Sequence, residues 1–523
     1  MLSLRKLARK GLVVVKDTVG ALMMINILLA LAAFFKDVML AVYTGTSAYA
    51  DAISIAFFVP DMIGNNLLAF SLGISCVPVF TRLYVQKDRE RLYSCIRKTT
   101  LYYGLLAVVI TLLFFLFSRV LVQFLTGDPS SPLYQITLPL YYILLPTLMF
   151  FTFIAIGTSL LQTLNRFISA ALSPLLLNLI FLGILLICLA LQVPPVQGMF
   201  YIALSIAVGV VAMFTLTGWF VFRQRQHWYK QISNSDPLPT VLEQHDFRQI
   251  MHTFVPFLLI ILTSQFVYFF ERYLAARMPT GSIAALNYAF RLSQFPIWVF
   301  VAAVSTVALP AMAKYIELGK ADELKSVVVR AVKNVVIISL PISIFLSVLN
   351  APIVSVLFQR GEFDAASTHV TSGILAGYSL AIVGLAISML CLRYFMAAGS
   401  MLIPLGICIF SAAANIGIDF WLVPRIGATG FGYGAAMGAL INAVLIIIVL
   451  KKQLKWRWST YFDKIVKIVL CNALLYFIMV IYQWVDETYA LQNEKGIHFT
   501  IIVCTFITCT LVYAYCLRKL RIV

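Results

Sequence analysis

Residues 56–98 read AFFVPDMIGNNLLAFSLGISCVPVFTRLYVQKDRERLYSCIRK, and residues 289–333 read AFRLSQFPIWVFVAAVSTVALPAMAKYIELGKADELKSVVVRAVK. Both stretches begin with Ala-Phe, carry a proline inside an apolar run, and carry a second proline near its end. A basic residue, a tyrosine and a charged run follow in each. Self-similarity at a fixed offset, here about 232 residues, indicates repeated structural units. Two repeats around a central cavity are typical of alternating-access transporters.

The composition of the whole chain is that of a membrane protein. Of its 523 residues, 62% are hydrophobic and only 11% are charged, and the mean hydropathy is +0.95. Soluble chains average about 25% charged residues. These values exclude a water-soluble globular enzyme, a disordered protein and a nucleic-acid-binding domain. They predict an all-α polytopic membrane protein.

Apolar runs long enough to cross a membrane recur along the chain. A span needs about 20 mostly apolar residues, and this criterion predicts about fourteen transmembrane helices. The runs lie at 20–43, 50–80, 99–124, 134–163, 168–192, 197–222, 251–277, 281–312, 333–358, 366–397, 400–423, 429–450, 463–485 and 497–517. Together with the repeat, they predict two six-helix units around a central cavity, followed by two further helices.

Basic residues fall in alternate connections between these spans. The segments 81–98, 223–250, 313–333 and 451–467 and the C-terminal tail are rich in Lys and Arg, whereas the other connections are short and poor in them. Cytoplasmic loops of membrane proteins carry such an excess. The pattern therefore accounts for the net charge of +18 and predicts that both termini are cytoplasmic. The first apolar run is too long for a signal peptide and is expected to be the first span.

One long polar stretch divides the chain. Residues 223–250 include QRQHWYKQISNSDPLPT and are predicted to form a cytoplasmic linker. The expected organisation is an N-terminal six-helix lobe at 1–222, this linker, a C-terminal six-helix lobe at 251–450, and two additional transmembrane helices at 451–523.

Prolines and glycines predict local features of three spans. Pro60 and Pro296 lie inside spans 2 and 8 and are expected to kink them. The glycine-rich stretch GATGFGYGAAMG at 427–438 is expected to let span 12 pack closely against its neighbours.

Charged side chains inside the predicted spans mark candidate functional positions, because a charge at the bilayer centre costs about 2.5–3.5 kcal/mol on insertion scales. Lys36 in span 1 and Arg291 in span 8 are expected to line an anion-binding cavity. Lys36 and Asp37 are neighbours in sequence, so they are expected to point in different directions and not to neutralise each other. Asp51 opens span 2, where it either faces the cavity or is stabilised by the helix dipole.

A second candidate site combines two carboxyl groups and an amide. Asn415 and Asp419 are four residues apart in NIGID, so they share one helix face. With Glu271 from span 7, they could hold a small hard cation such as Na⁺ or take up a proton. A hydrogen-bonded pair between helices is the alternative, and the pattern fits both equally.

The sequence carries no recognisable catalytic machinery. It lacks the motif G-x-x-x-x-G-K-[ST] of ATP-hydrolysing proteins, and its outward loops are short. The chain is therefore expected to be no enzyme and to need no cofactor. An ion gradient or the membrane potential is expected to drive transport.

Several motifs together resemble those of the MurJ/MviN family of lipid II flippases. The run FFKDVMLAVYTGTSAYADAISIAFFVP at 34–60 has a base–Asp pair, a glycine and an Asp-Ala pair that opens span 2, and VPVF follows at 77–80. FFERYLAARMPTGSIAALNYAFRLSQFP at 269–296 resembles spans 7 and 8 of that family. FQRGEFD at 358–364 resembles the loop after its span 9. The similarity extends over most of 20–450.

The resemblance implies a fold and an activity. It implies an exporter of the MOP superfamily that moves undecaprenyl-linked peptidoglycan precursor from the inner to the outer leaflet. By motif, Lys36 stands where the family has a cavity arginine. Asp51 matches the aspartate of its Asp-Ala pair, and Arg291 matches its span 8 arginine.

The resemblance also covers the second site and includes departures. Glu271, Asn415 and Asp419 match a cation site seen in some members. In span 2, however, the segment PDMIGNNLLAFSLG has Gly64 and Asn65 where the family has bases. Fewer cationic groups are therefore expected to face a pyrophosphate.

These departures leave other substrates open. A flippase for another undecaprenyl-linked polysaccharide is one alternative, and a MATE-type cation-coupled drug exporter is another. The expected partners are a lipid-linked oligosaccharide and membrane lipids, without nucleic acid. The expected location is the bacterial cytoplasmic membrane, as a multi-pass monomer.

Overall fold

The computed structural model describes residues 24–228, 240–455, 462–489 and 495–520, and within these ranges the chain is helical without strands. The prediction of an all-α membrane protein is confirmed. The α-helices are α1 Met24–Thr44, α2 Ala48–Val59, α3 Phe70–Val85, α4 Arg89–Leu116, α5 Ser118–Thr126, α6 Pro132–Leu144, α7 Thr147–Thr163, α8 Phe167–Ala190, α9 Pro195–Trp228, α10 Thr240–Ala275, α11 Ser282–Pro296, α12 Ala302–Glu317, α13 Ala321–Val348, α14 Asn350–Phe358, α15 Ala365–Ala397, α16 Leu402–Ile426, α17 Thr429–Gln453, α18 Phe462–Tyr489 and α19 Lys495–Lys519.

Thirteen helical segments among the described residues are long and apolar enough to cross a membrane. They correspond to thirteen of the predicted spans. The remaining predicted span, 281–312, is helical from Ser282 to Glu317 in three consecutive segments. It contains four positions, 302, 303, 306 and 307, whose side chains lie outside the described part of the chain.

The boundaries of the helices confirm the predicted internal repeat. Helices α3, α4 and α5 are 16, 28 and 9 residues long, and α12, α13 and α14 have the same three lengths. Each helix of the second set begins 232 residues after its counterpart in the first. The two halves therefore share one secondary-structure plan over these three helices.

A π-helix occurs at each of the two prolines that were expected to kink spans 2 and 8. Pro60 is the first residue of the π-helix Pro60–Ala69, and Pro296 immediately precedes the π-helix Ile297–Val301. Proline lacks an N–H and its ring clashes with the carbonyl four residues earlier, so the regular hydrogen-bond ladder is interrupted there. The wider π-turn continues the helix across the interruption.

Three predicted spans are interrupted by short breaks. The span at 99–124 breaks at Phe117, between α4 and α5, and the span at 333–358 breaks at Leu349, between α13 and α14. The span at 134–163 breaks before Thr147, between α6 and α7. Only a few polar residues or a proline stand at each break, namely Ser118 and Arg119, Asn350, and Pro146, so an average over hydropathy does not detect it.

Helices enter the predicted linker from both ends. Helix α9 continues to Trp228, and α10 begins at Thr240. Residues 229–239 lie outside the described residues. The linker boundaries at 223–250 stay a prediction.

The backbone forms two compact units. One holds the described residues up to Thr44 together with Ala48–Leu262, and the other holds Gly45–Ser47 and the described residues from Thr263 onward. The division falls inside α10. In the second unit, Thr46 and Ser367 join their hydroxyls at 2.7 Å, which ties the short Gly45–Ser47 segment to α15.

A buried ion-pair cluster, the Asp246 cluster, fixes the start of α10 within the first unit. Asp246 is fully buried, and its Oδ1 accepts a hydrogen bond from Nη2 of Arg82 at 2.6 Å. Its Oδ2 accepts from Nε and Nη2 of Arg91 at 3.1 and 2.8 Å. Arg82 also donates to Oε1 of Gln249 at 2.7 Å. The cluster thus joins the turn between α3 and α4 to α10.

The two C-terminal helices pack against α13 within the second unit. An apolar cluster joins α18 and α19 to Ile337 of α13. The Tyr513 hydroxyl donates to the Ile337 carbonyl at 3.1 Å, and the Asn472 amide donates to the Tyr513 hydroxyl at 3.3 Å. These bonds satisfy polar groups that would otherwise be buried among apolar side chains.

Candidate functional site

Lys36 is buried in α1 and forms an ion pair. Its Nζ lies 3.2 Å from Oδ1 of Asp37 and 5.0 Å from the centre of the Phe181 ring on α8. The expectation that Lys36 and Asp37 do not neutralise each other was wrong. The four-carbon stem of lysine lets the ammonium group turn back to the adjacent carboxylate, even though the two Cα–Cβ bonds diverge.

The other two residues predicted for the anion-binding cavity differ in exposure. Asp51 is buried in the first turn of α2, where the helix dipole favours a carboxylate. Arg291 is exposed on α11. Lys36 and Asp51 belong to the first unit and Arg291 to the second. A common cavity for the three residues stays a prediction.

The departures in span 2 have local roles in the π-helix. The Asn65 and Asn66 amides donate to the two oxygens of Asp61 at 3.0 and 3.2 Å. Asp61 therefore has its partners within the same π-helix. At Gly64, a Cβ would lie only 2.9 Å from the Leu148 Cα, so glycine permits the close approach of this π-helix to α7. The residues that replace the family's bases thus serve packing and local hydrogen bonding.

Glu271 is a buried acid near the C-terminal end of α10. Its Oε2 accepts a hydrogen bond from the Tyr378 hydroxyl of α15 at 3.0 Å. The neighbouring Arg272 instead donates to the Tyr268 carbonyl at 3.1 Å and to Oδ1 of Asn287 at 2.5 Å. The sequence-adjacent charges of Glu271 and Arg272 therefore have separate hydrogen-bond partners.

Asn415 and Asp419 lie on one face of α16, as their spacing predicts, and both are buried. Asp419 is close enough to Glu271 for the two carboxyl groups to interact electrostatically. We call Glu271, Asn415 and Asp419 the acidic cluster. It lies entirely within the second unit.

Four oxygens of the acidic cluster are buried without a hydrogen-bond partner among the described residues. They are both carboxylate oxygens of Asp419, Oε1 of Glu271 and Oδ1 of Asn415. Burying a carboxylate without a partner is costly, so such a group is either protonated or bound to a cation. The alternative of a simple hydrogen-bonded pair between helices does not satisfy these atoms.

Two glycines of α17 make room for this cluster. A Cβ at Gly434 would collide with Oδ1 of Asp419 and lie 2.9 Å from its Cγ. A Cβ at Gly438 would lie 2.8 Å from the Asn415 Cβ. The expectation that the glycine-rich stretch lets span 12 pack closely is confirmed, and the closeness is directed at the acidic cluster.

The donor set of the acidic cluster fits a hard cation or a proton. Its ligating atoms are carboxylate and amide oxygens, which suit hard cations and not soft metals. Among the described residues, no three or more His, Cys, Asp or Glu side chains lie together so that they could hold a metal ion. The acidic cluster differs from such a group because its third oxygen donor is the amide of Asn415.

Sequence reasoning missed three contributors to this site. Tyr378 was not singled out, although it supplies the hydrogen bond to Glu271. Gly434 and Gly438 were noted only as part of a glycine-rich stretch. Their four-residue spacing places them on one face of α17, and the same spacing separates Asn415 from Asp419. A comparison of these two spacings would have predicted that the glycine face of α17 packs against the Asn415–Asp419 face of α16.

Comparison with known proteins identifies relatives along almost the whole chain. The family model for "Lipid II flippase MurJ" matches residues 40–504. The chain is 24% identical to a probable lipid II flippase MurJ of Vibrio cholerae, over 84% of this chain and 82% of that protein. It is 25% identical to the corresponding protein of Haemophilus influenzae, over 86% and 90% of the two chains. A lipid II flippase MurJ of Burkholderia cenocepacia is 21% identical, over 86% and 87%.

Solved structures share the fold. A lipid II flippase MurJ in an inward closed conformation aligns with a TM-score of 0.74 and 20% identity, over 95% of this chain and 99% of that one. An inward-facing multidrug resistance MATE family transporter of the MOP superfamily aligns with a TM-score of 0.69 and 17% identity, over 81% and 94%. At such low identity these two similarities concern the fold alone. Because the family model covers residues 40–504 of the 523, the chain belongs to the lipid II flippase MurJ family.

Proposed function

We propose that this chain moves lipid II, the undecaprenyl-pyrophosphate-linked peptidoglycan precursor, from the inner to the outer leaflet of the bacterial cytoplasmic membrane. The match of the lipid II flippase family model to residues 40–504 carries this proposal. The chain acts as a transporter and catalyses no reaction. It works as a monomer with both termini in the cytoplasm.

The headgroup is bound by Lys36 and Arg291 in this proposal. A lipid pyrophosphate carries at least two negative charges across a medium in which unpaired charge is very costly. Arg291 grips a phosphate with a bidentate fork, whereas Lys36 acts as a point charge. Asp37, 3.2 Å from Lys36, holds the ammonium group in place while no substrate is bound. Asp51 belongs to the same cavity.

Transport by alternating access is coupled to an ion through the acidic cluster. Glu271, Asn415 and Asp419 would hold Na⁺ through their oxygens, or the carboxyl groups would take up a proton. A bound positive charge would neutralise two buried carboxylates. The ion gradient or the membrane potential would thereby favour either the ion-bound or the ion-free conformation of the second unit.

A depletion experiment tests the substrate. The native gene is placed under a repressible promoter, and the lipid-linked precursors of the depleted cells are extracted and analysed by leaflet. Lipid II is expected to accumulate in the inner leaflet. Accumulation of a different undecaprenyl-linked glycan would reassign the substrate. Normal levels of every such precursor would favour a drug exporter of the MATE type, whose fold is also similar.

Complementation of the depleted cells tests the two cations. Arg291→Ala is expected to abolish flipping and Arg291→Lys to leave it partial. Lys36→Arg should be tolerated and Lys36→Ala should not, because charge matters more than the fork at that position. Arg277→Ala is the matched control, since the Arg277 guanidinium is exposed and stacks on the Tyr273 ring at 3.5 Å. Normal transport by both alanine variants at normal abundance would refute the cationic cavity.

The ion dependence of transport tests the acidic cluster. Asp419→Ala is expected to weaken flipping and to remove its dependence on the Na⁺ or proton gradient. The measurement is flipping in vesicles with imposed gradients of either ion. An unchanged ion dependence in this variant would contradict a coupling role for the cluster.

A further inference from the structure

A cavity of about 350 Å³ lies in the first unit, away from the residues discussed above. It is lined by Arg166, Ser169, Phe220, Arg223 and Gln224. Arg166 and Ser169 belong to the start of α8, and the other three residues belong to the last turns of α9. The start of one span and the end of the next span lie at the same membrane face. In the proposed topology this face is cytoplasmic.

The cavity is positively charged, and no acidic side chain that the structure describes neutralises it. Neither Arg166 nor Arg223 has a carboxylate within 4.0 Å among the described side chains. The Arg223 guanidinium lies 5.5 Å from the centre of the Trp219 ring, a contact that leaves its hydrogen-bond donors available. By contrast, Arg82 and Arg91 are both committed to the buried Asp246. Within the described part of the chain, the two arginines of the cavity therefore form no comparable ion pair.

Hydrogen-bond donors beside the two arginines also favour an anion in the cavity. Arg166 stands at the N-cap of α8 without a side-chain cap, and its carbonyl accepts the first helical hydrogen bond, from Ala170. The N–H groups at the beginning of a helix lack intrahelical partners and favour an anion. The Ser169 hydroxyl and the Gln224 amide add neutral donors. Tetrahedral oxyanions are the ligands that such a set of donors recognises.

The aromatic residues around the cavity indicate its depth in the membrane. Phe167, Trp219 and Phe222 are exposed and flank the lining residues in sequence. Trp and Tyr side chains concentrate at the level of the lipid headgroups, and Trp219 is the residue of this group that marks that level. The cavity therefore lies where the phosphate of a lipid would lie.

We propose that this cavity binds a phosphate group, carried by the headgroup of an anionic phospholipid, between the start of α8 and the end of α9. The two guanidinium groups and the first turn of α8 hold the phosphate oxygens. The exposed aromatic side chains contact the glycerol and acyl region. The site would anchor α8 and α9 to one leaflet and is separate from the proposed binding of the transported lipid.

Native mass spectrometry of the purified full chain tests the proposal. Phosphatidylglycerol and phosphatidylcholine are titrated separately, since the second has the same phosphate beside a fixed positive charge. The wild-type chain is expected to bind phosphatidylglycerol more tightly. The double variant Arg166→Gln, Arg223→Gln should lose about tenfold in affinity for it, as the loss of charge-assisted hydrogen bonds implies.

The control variant also loses two positive charges, and it loses them from the same predicted cytoplasmic face of the protein. Arg97→Gln combined with Arg225→Gln changes two exposed arginines that do not line the cavity, and the preference for phosphatidylglycerol should persist. Arg166→Lys with Arg223→Lys keeps the charge without the fork and should retain part of the affinity. This variant keeps the test informative if the glutamine variant unfolds.

Competition with inorganic phosphate separates the two sources of the ligand. If phosphate at millimolar concentration does not displace phosphatidylglycerol from the wild-type chain, the headgroup is the ligand. If inorganic phosphate displaces the lipid from the wild-type chain but not from the double glutamine variant, the cavity does bind phosphate. Its occupant is then the soluble ion and not the lipid headgroup. Equal binding of phosphatidylglycerol by wild type and the double glutamine variant would overturn the proposal.

Discussion

Gly434 is the single residue on which the space around Asp419 depends most directly. A Cβ there would collide with Oδ1 of Asp419, and because Asp419 is fully buried its carboxyl group has little room to move aside. Overpacking of this kind costs about 1–3 kcal/mol. Gly434→Ala is therefore expected to lower the thermal unfolding temperature in detergent and to reduce ion-dependent flipping.

A glycine on the neighbouring helix provides the comparison. Gly417 lies between Asn415 and Asp419, and a Cβ there would meet no atom within 4 Å. Alanine has a higher helix propensity than glycine by about 1 kcal/mol. Gly417→Ala should therefore leave stability unchanged or slightly higher. Equal effects of the two alanine substitutions would contradict the steric explanation.

Asp364 makes the start of α15 sensitive to acid. Its Oδ1 accepts a hydrogen bond from the Ser367 N–H at 2.7 Å, and bonds from the Ser367 backbone and hydroxyl lower the pKa of the carboxyl group. The capping contribution is therefore fully present above the unfolded-state pKa of about 3.9 and is lost as the pH falls through the lower folded-state pKa. At neutral pH, Asp364→Ala should cost about 1 kcal/mol of stability.

The pH profile of unfolding checks this prediction. The difference in stability between the wild-type chain and Asp364→Ala should shrink only at strongly acidic pH. Asp364→Asn retains a capping oxygen without a titrating group, so its stability relative to alanine should not vary with pH. A difference that already disappears near pH 6 would refute the lowered pKa.

At the scale of residues, the sequence predicted the important side chains more successfully than it predicted the partners of those side chains. The spacing of Asn415 and Asp419 placed them on one face, because helical periodicity is a local property. The Lys36–Asp37 pair was missed because side-chain length, and not backbone direction, decides whether neighbours meet. Tyr378 was missed because it comes from a distant helix, and a single sequence contains no record of such contacts.

Helix α10 depends on the Asp246 cluster at its first turns. Asp246 is fully buried and receives hydrogen bonds from two arginines. Removing one partner of a buried ion pair costs about 3–5 kcal/mol, and the partial exposure of Arg82 and Arg91 lowers this cost because water solvates part of the charge that is left. Asp246→Asn is therefore expected to destabilise the chain markedly and to increase proteolysis of the α3–α4 turn, as limited digestion in detergent would detect.

An exposed acid in the corresponding turn of the second half is the matched control. Asp322 lies in the first turn of α13, the counterpart of α4, and is exposed. Exposed charges contribute about 0–1 kcal/mol. Asp322→Asn should therefore have little effect on unfolding or digestion. A similarly small effect of Asp246→Asn would mean that the cluster does not hold α10.

At the scale of elements, hydropathy predicted the existence of the helices and missed their irregularities. The breaks at Phe117 and Leu349 occupy one residue each, and apolar sequence resumes after the few polar residues that follow them, Ser118, Arg119 and Asn350. A window of about 20 residues averages over them. The π-helices were anticipated only as kinks at Pro60 and Pro296, since proline indicates a disrupted ladder without specifying how the backbone restores it.

The proposed topology makes a prediction for the whole molecule. If both termini are cytoplasmic, the connection between α5 and α6 is outside and the turn between α12 and α13 is inside. In a chain whose nine cysteines are replaced by alanine, Ser130→Cys should react with an impermeant maleimide in intact cells. Ala321→Cys should react only after permeabilisation. The opposite pattern would invert the topology.

The overall architecture was the part most accessible from sequence. Composition sets the fold class, alternating basic loops set the predicted orientation, and the repeat sets the grouping of helices. The linker between the lobes was predicted at 223–250, and the exact point of division between the compact units was not predicted. It falls inside α10 between Leu262 and Thr263, where the three polar residues TSQ at 263–265 interrupt an apolar run without the composition of a linker.

The shared register of the two halves limits where the chain tolerates added length. From α3 to α5 and from α12 to α14, neither half has gained or lost a residue relative to the other, although most side chains differ. The next connection does differ in length, because 127–131 joins α5 to α6 and 359–364 joins α14 to α15. An epitope tag or fluorescent reporter spliced into 86–88 or 318–320 would therefore disturb the helices that follow. The same insertion between Gly127 and Ser131 would enter a connection whose length is free to vary.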